Sequence, residues 1–156
     1  MNKYKEEILQ HQVKSLDFVN SLLVLSEEEW RTPIEKGKWT IAEIVGHFQF
    51  WDEFIVHKRL PYLFSITELP KVPDSDKINA ESAELSRAEV KHKTIKRFIT
   101  ARERLCEVIT EIPDKDWERK FTIGTTTLSL YDYLNGLAEH DRHHFNQIER
   151  VIMEVK

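Results

Sequence analysis

Cysteine is almost absent from this chain, because Cys106 is the only one among its 156 residues. A single thiol cannot form an intramolecular disulfide, so packing, or packing together with a metal, must stabilise the fold. Residues 1–14 are charged and lack the apolar run and small-residue cleavage site of a secretory leader. No stretch approaches the roughly 20 apolar residues of a membrane-spanning helix. We therefore expect a cytoplasmic protein with no membrane partner.

The sequence also lacks a strong excess of charge of either sign. Its 27 acidic and 23 basic residues give a net charge of -4. No dense basic stripe is available to neutralise phosphates, which disfavours nucleic-acid binding. A hydrophobic fraction of 40% can fill a normal core, and 32% charged residues supply polar surface. These features predict one globular domain over residues 1–156.

Proline is scarce, and its positions separate segments with helical periodicity. A residue without an N–H does least harm between helices. Apolar residues at three- and four-residue steps predict four helices, over residues 3–26, 40–58, 79–111 and from 129 to the C-terminus. Thr40 and Glu43 form a capping-box pattern that predicts the start of the second helix. The five prolines lie outside the four predicted helices, at Pro33, Pro61, Pro70, Pro73 and Pro113.

The predicted connections differ in length and character. Residues 60–78 are rich in proline, aspartate and small polar residues and show no sustained period, which predicts a long crossing loop. Residues 117–128 alternate apolar positions and threonines around Gly124, which allows a short hairpin before the fourth helix. Each helix has one apolar stripe to bury, so the sequence predicts an all-α, up-down-type four-helix bundle.

Three histidines occupy positions on these apolar stripes. His140 and His144 lie four residues apart on the fourth helix, so their imidazoles face the same side one turn apart. His47 lies on the stripe of the second helix. We expect all three to face the core, where each imidazole left unsatisfied costs about 1–3 kcal/mol.

Two arrangements can satisfy three buried imidazoles. They can form a hydrogen-bonded core cluster, or they can coordinate one divalent metal ion. With three protein ligands a tetrahedral ion keeps one open position, which is typical of catalytic sites. No nucleophile motif or unmatched pair of carboxylates stands beside these histidines, so catalysis would depend on the ion and the water or thiol that it activates.

Five further side chains are candidates to support the ligands or line the pocket. His11 falls on the stripe of the first helix, and His143 lies on the flank of the fourth, where a solvated role is the alternative. Asp141 and Gln147 either accept a ligand's N–H or form surface contacts. Trp51 either walls the site or packs in the core. Glycines 46 and 136 indicate close approach at the site or crowding between helices.

Two segments carry a resemblance to a known family. Residues 37–47, GKWTIAEIVGH, are similar to the tryptophan-led second helix of the DinB-like superfamily, which ends in its first metal histidine. Residues 140–148, HDRHHFNQI, are similar to its closing pattern of two histidines followed by Gln-Ile. The resemblance spans essentially the whole chain. It implies His47, His140 and His144 as ligands of zinc, nickel or a similar divalent ion in a bundle that often forms homodimers.

The resemblance implies chemistry less specifically than fold. Characterised relatives include bacillithiol and mycothiol S-transferases and a mycothiol-dependent maleylpyruvate isomerase. A thiol S-transferase that joins a low-molecular-weight thiol to an electrophilic small molecule is therefore the favoured hypothesis. A metal-dependent hydrolase and a non-enzymatic, metal-binding stress-related module are the alternatives.

Overall fold

A computed structural model describes residues 2–65 and 68–155 of the chain. It is an all-α four-helix bundle, as the sequence predicts, with one small antiparallel sheet. The bundle helices are α1 (Lys3–Ser21), α3 (Ile41–Phe54), α5 (Lys91–Glu111) and α6 (Leu130–Val155), and two further helices are α2 (Glu27–Trp30) and α4 (Ser75–Ala88). No helix among the described residues combines the length and the apolar character that crossing a membrane requires.

The first predicted helix ends earlier than expected. α1 stops at Ser21 and passes through a 3-10 turn, Leu22–Val24, into the separate short helix α2. Leu25 has extended backbone angles, and Ser26 forms a capping box with Glu29 that begins α2. A strong cap directly after an extended residue starts a new helix instead of continuing the old one. The prediction of one helix over residues 3–26 was therefore wrong at its C-terminal end.

The start of α3 follows the predicted capping box. The Thr40 hydroxyl accepts from the Glu43 amide at 3.1 Å, and the Glu43 carboxylate accepts from the Thr40 amide at 3.1 Å. Glu43 also accepts from Arg87 of α4 at 2.8 Å, which connects the cap to a neighbouring helix. At its other end α3 continues into a π-helical turn, Ile55–Arg59.

The predicted helix over residues 79–111 is two helices. α4 ends at Ala88, and Val90 is extended, with φ −71° and ψ 152°. Arg31, directly after α2, donates to the carbonyls of Ser86 and Glu89 at 2.7 and 2.9 Å, so a distant residue caps the end of α4. The predicted loop over residues 60–78 is correspondingly shorter, since α4 begins at Ser75; residues 66–67 of that loop lie outside the described part.

The hairpin before the last helix is present. Strands β1 (Lys120–Ile123) and β2 (Thr126–Ser129) pair antiparallel, with Ile123 opposite Thr126 across a two-residue turn. Gly124 has a positive φ of 60°, which glycine adopts without strain.

The two helical glycines have different surroundings. A Cβ on Gly46 would lie 1.7 Å from the Ser86 hydroxyl oxygen, so close packing of α3 on α4 requires glycine there. A Cβ on Gly136 would meet nothing within 4 Å. Crowding between helices therefore explains Gly46, and neither predicted explanation applies to Gly136.

Candidate metal centre

Three histidine side chains converge between α3 and α6. One ligand nitrogen from each of His47, His140 and His144 lies within 4.8 Å of the others. The ring centroids are 4.6 Å apart for His140 and His144, 4.9 Å for His47 and His144, and 6.2 Å for His47 and His140. The structure thus brings together the three residues that the sequence singled out.

Hydrogen bonds fix the orientation of two of these rings. Nδ1 of His47 donates to the Ile44 carbonyl on its own helix. Nδ1 of His144 donates to the Gln147 side-chain oxygen at 2.9 Å. A neutral imidazole that donates through Nδ1 keeps a lone pair on Nε2. Both rings therefore present Nε2 as an available ligand atom, and such support of a histidine ligand is typical of metal sites.

Protonation of the cluster is disfavoured. Burial, with a smaller contribution from the neighbouring histidines, lowers the pKa of His47 to about 4, although the hydrogen bond to Ile44 opposes the shift. Burial also lowers the pKa of His144, with His140 acting in the same direction. Neutral imidazole is the form that binds metal ions, so these two rings are ready to coordinate at neutral pH.

The three side chains fit a divalent transition-metal ion. Nitrogens bound to zinc at about 2.0–2.1 Å in a tetrahedron lie about 3.4 Å apart. Nitrogens already within 4.8 Å reach that spacing when each ring moves by less than about 1 Å, which side-chain rotation allows. Three imidazole nitrogens without a thiolate suit zinc, nickel and similar borderline ions.

The cluster lies at an edge of the core. His47 is buried, at 4% exposure, whereas His144 is half-buried and His140 is exposed. The expectation that all three face the core was therefore wrong for His140. The buried stripe of α6 runs one position away from the histidines, through Leu134, Ala138, Asp141, Phe145 and Ile148. The histidine stripe forms the flank of the helix and is open on one side.

A cavity of about 490 Å³ adjoins this open side. His47 and His140 stand in its wall, and α3 and α6 supply residues on both sides. Much of the wall is apolar, including Phe48, Trp51, Phe54, Leu105, Leu134 and Leu137. Trp51 is one of the lining residues, which is the first of the two roles considered for it, and its indole N–H donates to the Asn79 side-chain oxygen at 2.8 Å. The volume suits a small organic molecule.

A buried ionic network forms the polar part of the cavity wall. The Arg102 guanidinium donates to Asp52 at 2.8 and 3.2 Å, to Asp141 at 2.7 and 3.3 Å, and to Gln12 at 3.1 Å. Burial disfavours the charged guanidinium, but the two carboxylates outweigh it and raise the pKa of Arg102. Burial raises the pKa of Asp52 to about 6, although Arg102 opposes that shift.

The sequence analysis did not identify this network. Its members lie inside apolar stripes: Arg102 falls between Phe98 and Leu105, and Asp52 between Phe48 and Ile55. A charged residue on an apolar stripe is the pattern that could have revealed it, as it did for the histidines.

His11 and Asp141 belong to this network, and the hydrogen bonds of the described residues do not join either of them to a cluster histidine. Nε2 of His11 donates to Asp141 at 2.8 Å, and Arg142 approaches Nδ1 of His11 at 3.4 Å. Asp141 lines the cavity, but its carboxylate also accepts from Arg102. Asp141 is thus a buried ion-pair partner, whereas the sequence predicted a ligand support or a surface contact.

The remaining candidates are at the periphery. His143 is exposed, with its ring centroid 5.6 Å from that of His144. Cys106 is half-buried, and burial raises the pKa of its thiol, which disfavours a nucleophilic thiolate at neutral pH.

Solved structures share this fold. YfiT from Bacillus subtilis, described as a probable metal-dependent hydrolase with an unusual four-helix bundle topology, aligns with a TM-score of 0.78 and 16% identity, over 97% of this chain and 87% of its own. A mycothiol-dependent maleylpyruvate isomerase aligns with a TM-score of 0.70 and 13% identity, over 92% of this chain and 60% of its own. The chain therefore spans less than two thirds of the isomerase.

Sequence comparison gives the family. A search of curated protein sequences finds no significant match. The family model described as the DinB superfamily matches residues 8–148, which is most of the chain. This chain therefore belongs to the DinB superfamily.

Proposed function

We propose that this protein is a metal-dependent enzyme that joins a low-molecular-weight thiol to an electrophilic small molecule. The observation that carries the proposal is the one-sided opening of the histidine cluster onto a largely apolar cavity of about 490 Å³. A closed structural site would surround its ion with protein ligands, whereas three ligands beside a cavity leave room for a co-substrate.

A divalent ion held by His47, His140 and His144 would supply Lewis acidity that lowers the pKa of a coordinated thiol or water. The lowered pKa values of His47 and His144 keep both rings neutral at pH 7, and the hydrogen bonds of their Nδ1 atoms leave Nε2 free, so both residues would hold the ion through Nε2. Phe48, Trp51 and Leu137 surround the electrophile and exclude water from it. In the transfer the thiol proton goes to solvent, a carbon–sulfur bond forms, and the leaving group departs with its electron pair.

No free carboxylate among the described residues lines the cavity to act as a general base. Asp52 and Asp141 are its only carboxylates in that part of the chain, and both accept from Arg102. Their lone pairs are engaged by a guanidinium that remains protonated. The lack of a free carboxylate supports a reaction in which the thiol proton leaves because a coordinated metal ion lowers the pKa of the thiol, without a general base.

Hydrolysis at the same site is the second candidate. It is favoured by the likeness to YfiT, which is described as a probable metal-dependent hydrolase. In that case water replaces the thiol, and the same apolar cavity holds an ester or amide. A purely metal-binding module receives less support, because the described residues contribute three clustered ligands and His11 is turned to Asp141.

Elemental analysis of tag-free protein tests the metal. We expect near one equivalent of zinc or nickel in the wild type and a large loss in His144→Ala. His143→Ala is the matched control, because the exposed neighbouring imidazole should leave the metal content unchanged. Substoichiometric metal in the wild type would contradict the site. Gel filtration of the same sample tests the homodimer that the family implies.

Turnover assays separate the two reactions. The metal-loaded protein is incubated with a thiol and a haloalkyl or bimane electrophile, and separately with aryl esters without thiol. A thiol-dependent rate that His144→Ala loses supports the transferase. Ester turnover without thiol supports the hydrolase, and no rate above background in either assay argues against catalysis.

A further inference from the structure

Arg59 is a buried arginine on the wall of the same cavity. Its side chain follows α3 at the end of the π-helical turn Ile55–Arg59, and the residue is only 6% exposed. Within residues 2–65 and 68–155, no carboxylate lies within 4 Å of its guanidinium. Its close contact is instead the face of the Phe54 ring, 5.2 Å from the guanidinium carbon.

Other arginines of low exposure have anionic partners. Arg102 binds Asp52 and Asp141, and Arg97 binds Glu89 at 2.8 and 2.5 Å. Burying a charge without a partner costs several kcal/mol. A cation–π contact offsets about 0.5–2 kcal/mol of that cost. Arg59 therefore has no carboxylate partner among the described residues. It lines this cavity and also a neighbouring one of about 590 Å³, so an anion bound in this cavity can reach it.

The backbone places Arg59 there by an unusual turn. π-helical turns are rare, and they occur frequently at functional sites because they shift side chains out of the regular helical positions. Here the turn continues α3 beyond Phe54 and is followed by Pro61 in the 3-10 turn Leu60–Tyr62. The turn thus redirects the chain at the residue whose guanidinium lines the cavity.

Other polar groups agree with an anion in this part of the cavity. Arg102 is paired with Asp52 and Asp141, so Arg59 is the guanidinium of the described cavity residues that has no carboxylate within 4 Å. The indole of Trp51 can only donate, so Asn79 accepts with its oxygen and keeps its amide N–H groups available. Tyr133 lines the same cavity, and the charge of Arg59 acts to lower the pKa of its hydroxyl against the larger, opposite effect of burial.

We propose that Arg59 binds the carboxylate of an apolar substrate whose body fills the cavity beside the histidine cluster. A guanidinium pairs with a carboxylate through two parallel hydrogen bonds, which fixes both position and direction. One guanidinium without a carboxylate partner matches one carboxylate of a ligand, and the apolar wall matches an aryl or alkyl body. The inference rests on the proposed function only in taking this cavity as the substrate's place.

Binding of a matched ligand pair tests the inference. The probes are 1-naphthylacetate and its neutral amide, measured by calorimetry with the metal-loaded protein and after treatment with EDTA. We expect the wild type to bind the carboxylate about tenfold or more tightly than the amide in both states. Arg59→Gln should lose this preference while keeping its affinity for the amide, and Arg59→Lys should keep part of it.

Arg119→Gln is the matched control. Its guanidinium lies 4.1 Å from the Phe64 ring centroid and lines a neighbouring cavity instead of this one, so the preference should persist. Retained affinity for the amide shows that Arg59→Gln is folded. If that variant does not fold, a preference that is smaller in Arg59→Lys than in Arg119→Gln supports the inference, and an equal preference in the two overturns it.

Two outcomes overturn the inference. One is equal affinity of the wild type for both probes, and the other is a preference that survives Arg59→Gln. If EDTA abolishes that surviving preference, the carboxylate is assigned to the metal. Conversely, a preference that depends on Arg59 in protein that never loads metal supports the anion site while contradicting the proposed function.

Discussion

Replacing Arg102 by methionine should destabilise the protein strongly at neutral pH. The residue is 1% exposed, and its guanidinium donates five hydrogen bonds to Asp52, Asp141 and Gln12. Methionine fills similar space but leaves two carboxylates buried without a counter-charge. Removing one partner of a buried ion pair typically costs about 3–5 kcal/mol. We expect a loss of that size in the free energy of unfolding.

Urea denaturation of the wild type and Arg102→Met at several pH values measures this loss. Arg102 lowers the pKa of Asp141 and opposes the raised pKa of Asp52. Without the guanidinium the pKa of both carboxyl groups rises in the folded state, so the penalty is largest at high pH and shrinks as falling pH protonates them. The matched control is Arg104→Met on the same helix. Arg104 pairs with Glu107 at the surface with 58% of its side chain exposed, so about 0–1 kcal/mol is expected. A loss below 1 kcal/mol for Arg102→Met, or one that is constant between pH 5 and pH 8, would refute the assignment of Arg102 as the counter-charge.

Two further predictions concern the helices and the cluster. Gly46→Ala should destabilise the protein by about 1–3 kcal/mol in thermal or urea unfolding, because its Cβ would lie 1.7 Å from the Ser86 oxygen; Gly136→Ala, which meets nothing, should instead stabilise by about 0.5–1 kcal/mol, and equal effects of the two would contradict the packing. In metal-free protein, the unfolded chain protonates His47 below its ordinary pKa of 6.5, whereas the folded chain does so only near 4. Stability therefore falls as pH falls, and we expect the wild type to lose about 2 kcal/mol relative to His47→Asn between pH 7 and pH 5. Parallel pH profiles of the two proteins would show that burial of His47 does not favour its neutral form.

Much of the fold was predictable because its determinants are local. The capping box of Thr40 and Glu43 fixes the start of α3 within four residues of sequence, and the turn at Gly124 does the same for the hairpin. The break between α4 and α5 was not predictable in this way. Arg31, more than fifty residues earlier in the chain, supplies the cap that ends α4, and no proline or glycine marks the position.

The candidate site shows the same contrast between local and long-range determinants. A spacing of four residues on one helix identified His140 and His144, and a stripe position identified His47. The periodicity of apolar residues did not show which flank of α6 is buried, because Leu137 and Ala138 are both apolar and lie on adjacent stripes. Asp141 marks the buried stripe, but a carboxylate is buried there only because it pairs with Arg102. The exposure of His140 follows from that pairing across helices, which a single sequence does not display.

The position of the histidine cluster between α3 and α6 has a further consequence. α3 packs mainly against α4 and α5, and α6 packs against α1, while side chains of α3 and α6 meet where Phe48 faces Phe145. An ion bound by His47 and by the two histidines of α6 would add a further link between these two helices beside the cavity. By thermodynamic reciprocity, a ligand that forces α3 and α6 apart must weaken the binding of the metal by the same factor by which the metal weakens the binding of the ligand. A larger molecule in the cavity should therefore lower the affinity for the ion, and a chelator should remove the metal more easily when a bulky ligand is bound.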